Sequence, residues 1–465
     1  MEVTHAAHSA DGRDPLERLL GLVEPANGAP GESDSRLQVL GRPDTAPTWL
    51  VSERWRVFAR PSREPLTGGF EIVQFELPDG TAVSASADPA RRSVFLPFHP
   101  AEAYLNFVAE RWTASSSRRG LTPRQLNAFY NVKRYIPRKV QILARRLLIR
   151  RQGLPEFPAW PLDTSVSRLL RFYTYCVLVS RQQTEAAFRW FWPAPYRAAV
   201  IHTHDVETAD GLPLAVELAD LEEDHGFRSS FNLGGWYEVD PGVVRELTGR
   251  GFEVGVHGLR HDRSLFSSRS AFDAQKPQLA NLAGRLGAEG FRSPSTYRVF
   301  DWLAELPFSY DCSIPHSDPF EPQPGGCCSL WPFFIGGVAE LPYTLPQDYT
   351  LFTLLGQRSP ALWLEGADRI VQENGLIHTL SHPDRGYLGD PGNRDRYREF
   401  LVALSERNEI WKPLPRELAA WWRLRDTAGA DEPRVPHGII RIGEAADEVE
   451  LQPPAEAERV SSPQS

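Results

Sequence analysis

The chain has 465 residues, of which 41% are hydrophobic and 24% charged, the balance of a globular protein with two or three domains. Its net charge of -9 argues against nucleic acid as a partner, because phosphate binding needs a concentrated cationic surface. The first twenty residues lack a basic segment followed by an apolar one, and no run approaches the roughly 20 apolar residues that span a bilayer. These features predict an unexported, cytoplasmic protein. The four cysteines are too few and too unevenly placed for a disulfide framework.

The first 192 residues divide into two parts by composition. Residues 1–46 are rich in Gly, Pro and acidic residues without hydrophobic periodicity, which predicts a disordered segment. Residues 47–192 are expected to form an accessory region. Short apolar runs separated by Pro and Gly predict a β-rich part up to about residue 98, and the pattern is helical from there to about residue 192.

A basic amphipathic helix is expected over residues 132–151 of this accessory region. Eight arginines and lysines alternate there with Ile142, Leu143, Leu147 and Leu148. Such a helix can lie on an anionic membrane surface or hold an anionic glycan or lipid carrier. It can also pack its leucines on the next domain and leave the charges to solvent. Both interpretations stay open from the sequence.

Short apolar runs alternate with helical patterns from residue 196 to about residue 425. Repeated strand-then-helix units favour parallel pairing, and so a wound sheet or barrel whose site lies at the carboxyl ends of the strands. The acidic, Pro-rich tail at 428–465 is expected to be mostly disordered, apart from a possible short strand at residues 438–442.

Two histidines, His257 and His261, follow one of these predicted strands. The apolar run at residues 253–256 ends directly at His257, and His261 comes four residues later. If the chain coils into a helical turn after His257, both imidazoles lie on one face. The spacing therefore predicts a metal site at a strand exit.

Polar side chains also follow the other predicted strands. Asp205 and Glu207 end the first strand of the barrel region, so a carboxylate there can complete the metal site and a second can act as a base. Arg292 and Asp311 end later strands. His378 and His382 end the last strand, and His382, nearer its carboxyl end, is the better candidate for a general acid.

This ordered set of motifs resembles the polysaccharide deacetylase family, which shares the chitooligosaccharide deacetylase homology domain and is also called carbohydrate esterase family 4. The resemblance covers about residues 196–425 and is strongest at His257-Gly-Leu-Arg-His261, at Arg292-Ser-Pro294 and at His382. It implies an α/β fold, a distorted or incomplete (β/α) barrel, here with an N-terminal α+β accessory region.

The first motif departs from the family form, in which a threonine and an aromatic residue precede two adjacent aspartates. Here the sequence is Thr203-His204-Asp205-Val206-Glu207. In one registration Asp205 is the base and Glu207 the metal ligand, and alternation along an extended chain sends both to the same side. In the other, Asp205 is the ligand and His204 the base.

The resemblance also implies a reaction and roles for the site residues. One divalent ion, Zn2+ first and Co2+, Mn2+ or Ni2+ as alternatives, would be held by His257, His261 and a carboxylate of the first motif. The other carboxylate would be the base, oriented by Arg292, and His382 the general acid. Asp311 would position His382, and Trp331 could stack on a sugar ring.

An N-acetylated sugar or glycan is the implied substrate. Two rival functions remain open from the sequence. One is hydrolysis of small amides or cyclic ureides on the same fold, and the other is a metal-binding or glycan-binding partner in polysaccharide biosynthesis without catalysis.

Overall fold

A computed structural model describes residues 14–23, 36–39, 41–64, 69–115, 138–429 and 432–454. The chain divides into two compact units. The first contains Met1–Ser115, Thr164–Arg197 and Arg423–Ser465, and the second Ser116–Asp163 and Ala198–Trp422. The predicted basic helix lies in the second unit, whereas the sequence grouped it with the accessory region.

The elements that precede the barrel are helices and short strands. The helices are α1 (Pro15–Leu20), α2 (Pro100–Val108), α3 (Arg138–Gln152) and α4 (Ser165–Arg181), with short 3-10 turns at Pro89–Arg91 and Arg111–Ser115. The strands are β1 (Arg36–Val39), β2 (Thr48–Val51), β3 (Arg56–Ala59), β4 (Phe70–Glu76), β5 (Ala82–Asp88), β6 (Ser93–Leu96) and β7 (Glu185–Arg189).

The first unit is built on a six-stranded sheet in the order β1-β6-β5-β4-β2-β3. Helix α4 packs on this sheet because its apolar residues recur every three or four positions and are buried. Phe172 of α4 lies 6.0 Å from Phe98, which is 5.5 Å from Phe75 of β4. These rings form the core of the unit.

The structure differs from the predicted disorder at both ends of the chain. Helix α1 lies in the N-terminal segment, where the Asp14 carboxylate accepts the Leu16 N–H and three leucines of the helix are buried. The tail forms two strands, β17 (His437–Ile442) and β18 (Val449–Gln452), in a three-stranded antiparallel sheet ordered β18-β17-β7. The predicted strand at residues 438–442 is confirmed, and alternate apolar residues of both tail strands are buried. The remainder of residues 1–46 that was predicted to be disordered lies mostly outside the described residues.

The second unit contains the barrel, in which strands and helices alternate as predicted. The strands are β8 (Ala198–Val206), β9 (Ser230–Leu233), β10 (Glu253–Val256), β11 (Gly290–Phe291), β12 (Tyr310–Asp311), β13 (Phe333–Ile335), β14 (Val338–Glu340), β15 (Leu376–Ser381) and β16 (Ile410–Trp411). The helices that follow are α5 (Gly211–Asp224), α6 (Pro241–Gly249), α7 (Arg269–Leu286), α8 (Phe300–Leu303), α9 (Ala361–Gln372), α10 (Pro391–Ser405) and α11 (Pro415–Thr427).

The barrel sheet runs in the order β13-β14-β12-β11-β10-β9-β8-β15, with β16 also paired to β8. All pairs are parallel except β13 with β14. No strand pairing joins β14 to β15 in the described part of the chain. Instead, the backbone N–H groups of Thr344 and Leu345, just after β14, donate to the His378 carbonyl of β15 at 3.1 and 3.2 Å. The predicted incomplete (β/α) barrel is confirmed.

The register of the central strands places their carboxyl ends at one edge. Thr203 of β8 pairs with Ser230 of β9 and with Leu380 of β15, and Val256 of β10 pairs with Leu233. Every residue of β8 is buried, as expected for a strand covered on both faces. The polar residues that follow β8, β10 and β15 therefore meet at this edge. Among the described helices, none is long and apolar enough to cross a membrane.

Candidate metal centre and active site

Three predicted residues, Glu207, His257 and His261, lie together at the carboxyl edge of the barrel. One ligand atom from each lies within 4.8 Å of the others. His261 Nε2 is 2.9 Å from Glu207 Oε2, and His257 Nε2 is 3.8 Å from Glu207 Oε1. These three residues form a group that could hold a divalent ion.

The backbone after His257 turns sharply rather than coiling into the predicted helical turn. Gly258 has φ of 93°, a conformation that favours glycine, and a Cβ there would lie 3.0 Å from the Pro294 ring. The following residues to 263 form bends. The two imidazoles thus converge by a tight turn that the spacing alone did not distinguish from a helix.

The hydrogen bonds of His257 prepare its Nε2 atom for a ligand. Its Nδ1–H donates to the Arg292 carbonyl at 3.0 Å, which leaves the Nε2 lone pair free on the other side of the ring. His257 is 1% exposed, and Nε2 has no hydrogen-bond partner among the described residues. A buried acceptor without a partner is expected to bind something. The donor set therefore fits a divalent ion, and two imidazoles with a carboxylate suit Zn2+.

Asp205 lies beside this group with a different set of contacts. Its Oδ1 accepts an N–H from Asn232 at 2.8 Å, and its Oδ2 is 3.7 Å from His257 Nε2. Asp205 and Glu207 both approach His257, as alternation along the chain predicted. Asp205 is 3% exposed, so its carboxylate is a buried acceptor at the edge of the candidate metal centre.

His204 faces away from this centre. Its Nδ1 is 2.8 Å from the Ser381 hydroxyl, and its Nε2 is 2.8 Å from the Glu222 carboxylate of α5. All three residues are buried. The registration that made His204 a base beside the metal is therefore not supported by the position of its ring.

Charges in the group are mutually stabilising. Burial alone would raise the pKa of Glu207, but the nearby imidazoles of His257 and His261 hold that pKa well below its ordinary value. Burial opposes a charge on His257, yet the neighbouring carboxylates of Asp205 and Glu207 raise its pKa. Glu207 is therefore ionised, the form in which a carboxylate binds metal.

His382 lies on the other side of Glu207, with its Nε2 3.7 Å from Glu207 Oε1. Its Nδ1–H donates to Asp348 Oδ1 at 2.8 Å, and its backbone N–H donates to Asp348 Oδ2 at 3.1 Å. Burial would lower the pKa of His382, but the Asp348 carboxylate and the acids of the centre raise it to about 9. The ring of Tyr387 stacks on it, with centroids 4.5 Å apart. His382 is thus a buried imidazolium facing the candidate metal centre.

The competing histidine, His378, is held inside the barrel. Its Nδ1–H donates to the Leu341 carbonyl at 3.1 Å, and its Nε2 is 2.9 Å from the Thr203 hydroxyl. Burial and the nearby Arg292 charge lower its pKa well below the ordinary value. His378 is therefore neutral, and its two ring nitrogens are hydrogen-bonded within the barrel.

Arg292 is fully buried but does not form the expected ion pair with Asp205. Its Nη2 donates to the Thr203 hydroxyl at 2.8 Å, and Nε and Nη1 have no hydrogen-bond partner in the described part of the chain. Burial opposes its charge, while the Asp205 carboxylate is the largest influence that raises its pKa. The direct contact of Arg292 with the candidate metal centre is therefore its backbone carbonyl, which accepts the His257 Nδ1–H.

Asp311 and Trp331, both predicted to support the site, lie elsewhere. Asp311 accepts a hydrogen bond from the Ser313 hydroxyl at 2.7 Å and has no contact with His382 in the described structure. Trp331 is 1% exposed and donates to the Asn374 carbonyl at 3.0 Å, so it is a core residue. Asp348 takes the place expected for Asp311.

Four residues that contact the predicted site residues were not predicted from the sequence, namely Asp348, Tyr387, Asn232 and Trp236. The Trp236 ring lies 5.5 Å from His257 and 5.2 Å from His261, and its Nε1–H donates to the Glu207 carbonyl at 3.0 Å. Trp236 follows β9, where the sequence Asn232-Leu-Gly-Gly contains no histidine, cysteine or carboxylate to indicate a site. Its position after a barrel strand was the available signal.

No protein-family model and no curated protein matches this chain. Among solved structures, it is similar to a putative polysaccharide deacetylase from Mycobacterium smegmatis, with 18% identity and a TM-score of 0.42 over 51% of this chain and 94% of the other. It is also similar to Puue allantoinase (14% identity, TM-score 0.41, 50% and 93% covered) and to a probable polysaccharide deacetylase from Pseudomonas aeruginosa PAO1 (13%, 0.40, 50% and 94%). The structures that this chain is similar to thus include polysaccharide deacetylases. This is the family that the sequence motifs resemble.

Proposed function

We propose that the protein is a metal-dependent hydrolase that removes N-acetyl groups, or other amide-linked acyl groups, from a carbohydrate. The observation that carries the proposal is the pairing of two sites across Glu207. On one side lie His257 and His261, with the unpartnered Nε2 of His257. On the other lies His382, a buried imidazolium. Amide hydrolysis needs both an activated water and a proton for the leaving nitrogen.

Glu207, His257 and His261 would hold the ion, with Zn2+ favoured by the donor set. When bound, a divalent ion supplies polarisation of the scissile carbonyl and a lowered pKa for an attacking water. Asp205 is the base in this proposal and accepts the proton of that water. The amide of Asn232 donates to its Oδ1 at 2.8 Å, which fixes the orientation of the carboxylate.

His382 completes the reaction by giving its Nε2 proton to the leaving nitrogen. The water oxygen bonds to the carbonyl carbon, the C–N bond breaks, and the products are acetate and a free amine. Asp348 holds the imidazolium through Nδ1, so that Nε2 points to the centre. Tyr387 covers the ring and limits water access to it.

The proposal is tested by acetate release from N-acetylglucosamine oligomers. The purified protein is stripped with a chelator and then reloaded with Zn2+, and Asp205→Asn is measured beside Glu238→Gln, an exposed acid of the loop after β9. We expect release only with metal, a large loss in Asp205→Asn and none in Glu238→Gln. Equal release with chelator, or equal rates in all three proteins, would overturn the proposal. Turnover of small amides or ureides in place of the sugars would change the substrate class.

A further inference from the structure

The basic helix α3 is not explained by the proposed chemistry, yet its arginines contact the barrel. Arg146 donates to the Thr353 carbonyl through Nε at 3.0 Å and through Nη2 at 2.5 Å. The Arg145 guanidinium donates to the Phe320 carbonyl and lies over the Tyr349 ring, 5.5 Å from its centroid. These two described cations are therefore engaged within the protein, rather than presented to an anionic surface.

Both arginines meet the same short segment, the wide helical turn Tyr349–Leu354. Its inner side chains, Leu351 and Leu354 among them, are buried. Its outer residues Tyr349 and Thr353 are half-buried, and Arg145 and Arg146 contact these two. The last carbonyls of a helical turn need partners from outside it, and Arg146 supplies two donors to one of them. Helix α3 thus fastens the turn at its beginning and near its end.

The turn in turn holds the residues around His382. Asp348 caps its beginning, with Oδ1 accepting the Tyr349 N–H at 2.7 Å as well as the His382 ring N–H. At the other end, the Thr353 hydroxyl donates to the Gly386 carbonyl at 3.3 Å, next to Tyr387, whose ring stacks on His382. His382 therefore contacts two residues that the turn holds, Asp348 directly at its beginning and Tyr387 through the neighbouring Gly386.

We propose that Arg145 and Arg146 are positioning residues for the general acid, acting through the Tyr349–Leu354 turn on Asp348 and so on His382. The inference rests on the proposed function for the role of His382. Removal of the Arg146 side chain deprives the Thr353 carbonyl of its two donors. The buried side chains of the turn should still keep the turn folded. A small displacement of Asp348 misorients the proton of His382, and small errors in the placement of a reacting group cost rate steeply.

The test compares two substrates that differ in their need for an acid. An N-acetyl sugar releases an amine, which needs a proton, whereas an aryl acetate ester releases a phenolate that leaves without one. We expect Arg146→Ala to lower kcat for the sugar about tenfold, with KM, aryl acetate turnover and Zn2+ affinity unchanged. Arg146→Lys should restore part of the loss, since lysine can still donate to the Thr353 carbonyl. Arg151→Ala, an exposed arginine of α3, is the matched control and should have no effect.

A second measurement does not depend on turnover. Hydrogen exchange should be faster in Arg146→Ala at the amides of the Tyr349–Leu354 turn and of His382, and unchanged in Arg151→Ala. Equal loss on both substrates, equal effects of the two alanine variants, or unchanged exchange in the turn would overturn the inference. If no N-acetyl substrate is hydrolysed by the wild type, the proposed function fails, and the exchange data still decide whether α3 holds the turn.

Discussion

The two halves of the site are assembled in different ways. The metal half, Glu207, His257 and His261, comes from the ends of two strands, and each ligand lies within a short motif. The acid half, His382, Asp348 and Tyr387, joins residues 34 positions apart, and its supporting turn is held by an arginine 207 positions away from Thr353. Short motifs can thus specify which atoms bind an ion. The protonation state and orientation of an acid depend on partners that only the folded chain brings near.

Metal removal is expected to have the largest effect and to act on both halves. In the proposed reaction the metal half supplies the activated water, so chelation should abolish turnover of both an N-acetyl sugar and an aryl acetate, and added Zn2+ should restore both. Acetate and phenolate release measure the two reactions. Aryl acetate turnover that survives chelation would show that ester hydrolysis does not depend on the metal half.

Substitution of His382 should affect the two substrates unequally, because only one of them needs the acid half. His382→Gln removes the proton donor, so turnover of the N-acetyl sugar should fall by about 10²–10⁴. Turnover of the aryl acetate should change far less, because its leaving group needs no proton. His378→Gln is not a neutral control, since the buried His378 ring donates to the Leu341 carbonyl just after β14. Glu238→Gln serves instead. Equal losses on both substrates would mean that His382 does not act as the acid.

The pH dependence of turnover tests the pairing of His382 with Asp348. The pKa of His382 is raised to about 9, so the imidazolium is present at neutral pH and is lost as the pH rises through about 9. Turnover of the N-acetyl sugar should fall over the same range, and any stability from the Asp348 pair should fall with it. Asp348→Asn removes the charge that raises this pKa, so the decline should begin at lower pH. A pH–rate profile unchanged by Asp348→Asn would contradict the pairing.

The smallest effect is expected from the contact that ties the strands of the two halves together. The Ser381 hydroxyl lies 2.8 Å from His204 Nδ1, on the outer face of β8 and β15. Ser381→Ala leaves a buried histidine nitrogen without that partner, which should lower the free energy of unfolding by about 1–3 kcal/mol. Denaturant unfolding measures it. Metal affinity should stay within about twofold, and a larger change would show that the outer face controls the metal half.

The barrel, and the proximity of Glu207, His257 and His261, could be predicted because their signals are local. Apolar runs and helical periods gave strands and helices near their observed places, and His257 and His261 followed directly from spacing. Asp348 could not be predicted, since nothing in its neighbourhood marks it as the partner of a histidine 34 residues later. The sequence placed an aspartate of the right type, Asp311, near the site, but its carboxylate is satisfied by Ser313.

The second tail strand, β18, and the contacts of the basic helix could not be predicted for the same reason. Strand β18 has polar residues between its apolar ones, and it pairs with β17, which in turn pairs with β7 of a distant part of the chain. Helix α3 had two open interpretations, a membrane surface or packing on the protein. The expected packing of the leucines is wrong, because Leu143 and Leu147 are each 57% exposed. The arginines of α3 make the contacts instead, with the carbonyls of Phe320 and Thr353, and both carbonyls lie far from α3 in the sequence.

The central claim is that Glu207, and not Asp205, completes the metal half with His257 and His261. Calorimetric titration of Zn2+ into the metal-free wild type, Glu207→Gln and Asp205→Asn tests it directly, without any substrate. We predict one ion per chain in the wild type, a loss of affinity of at least about a hundredfold in Glu207→Gln, and nearly wild-type affinity in Asp205→Asn. Lost affinity in Asp205→Asn with retained affinity in Glu207→Gln would contradict the account.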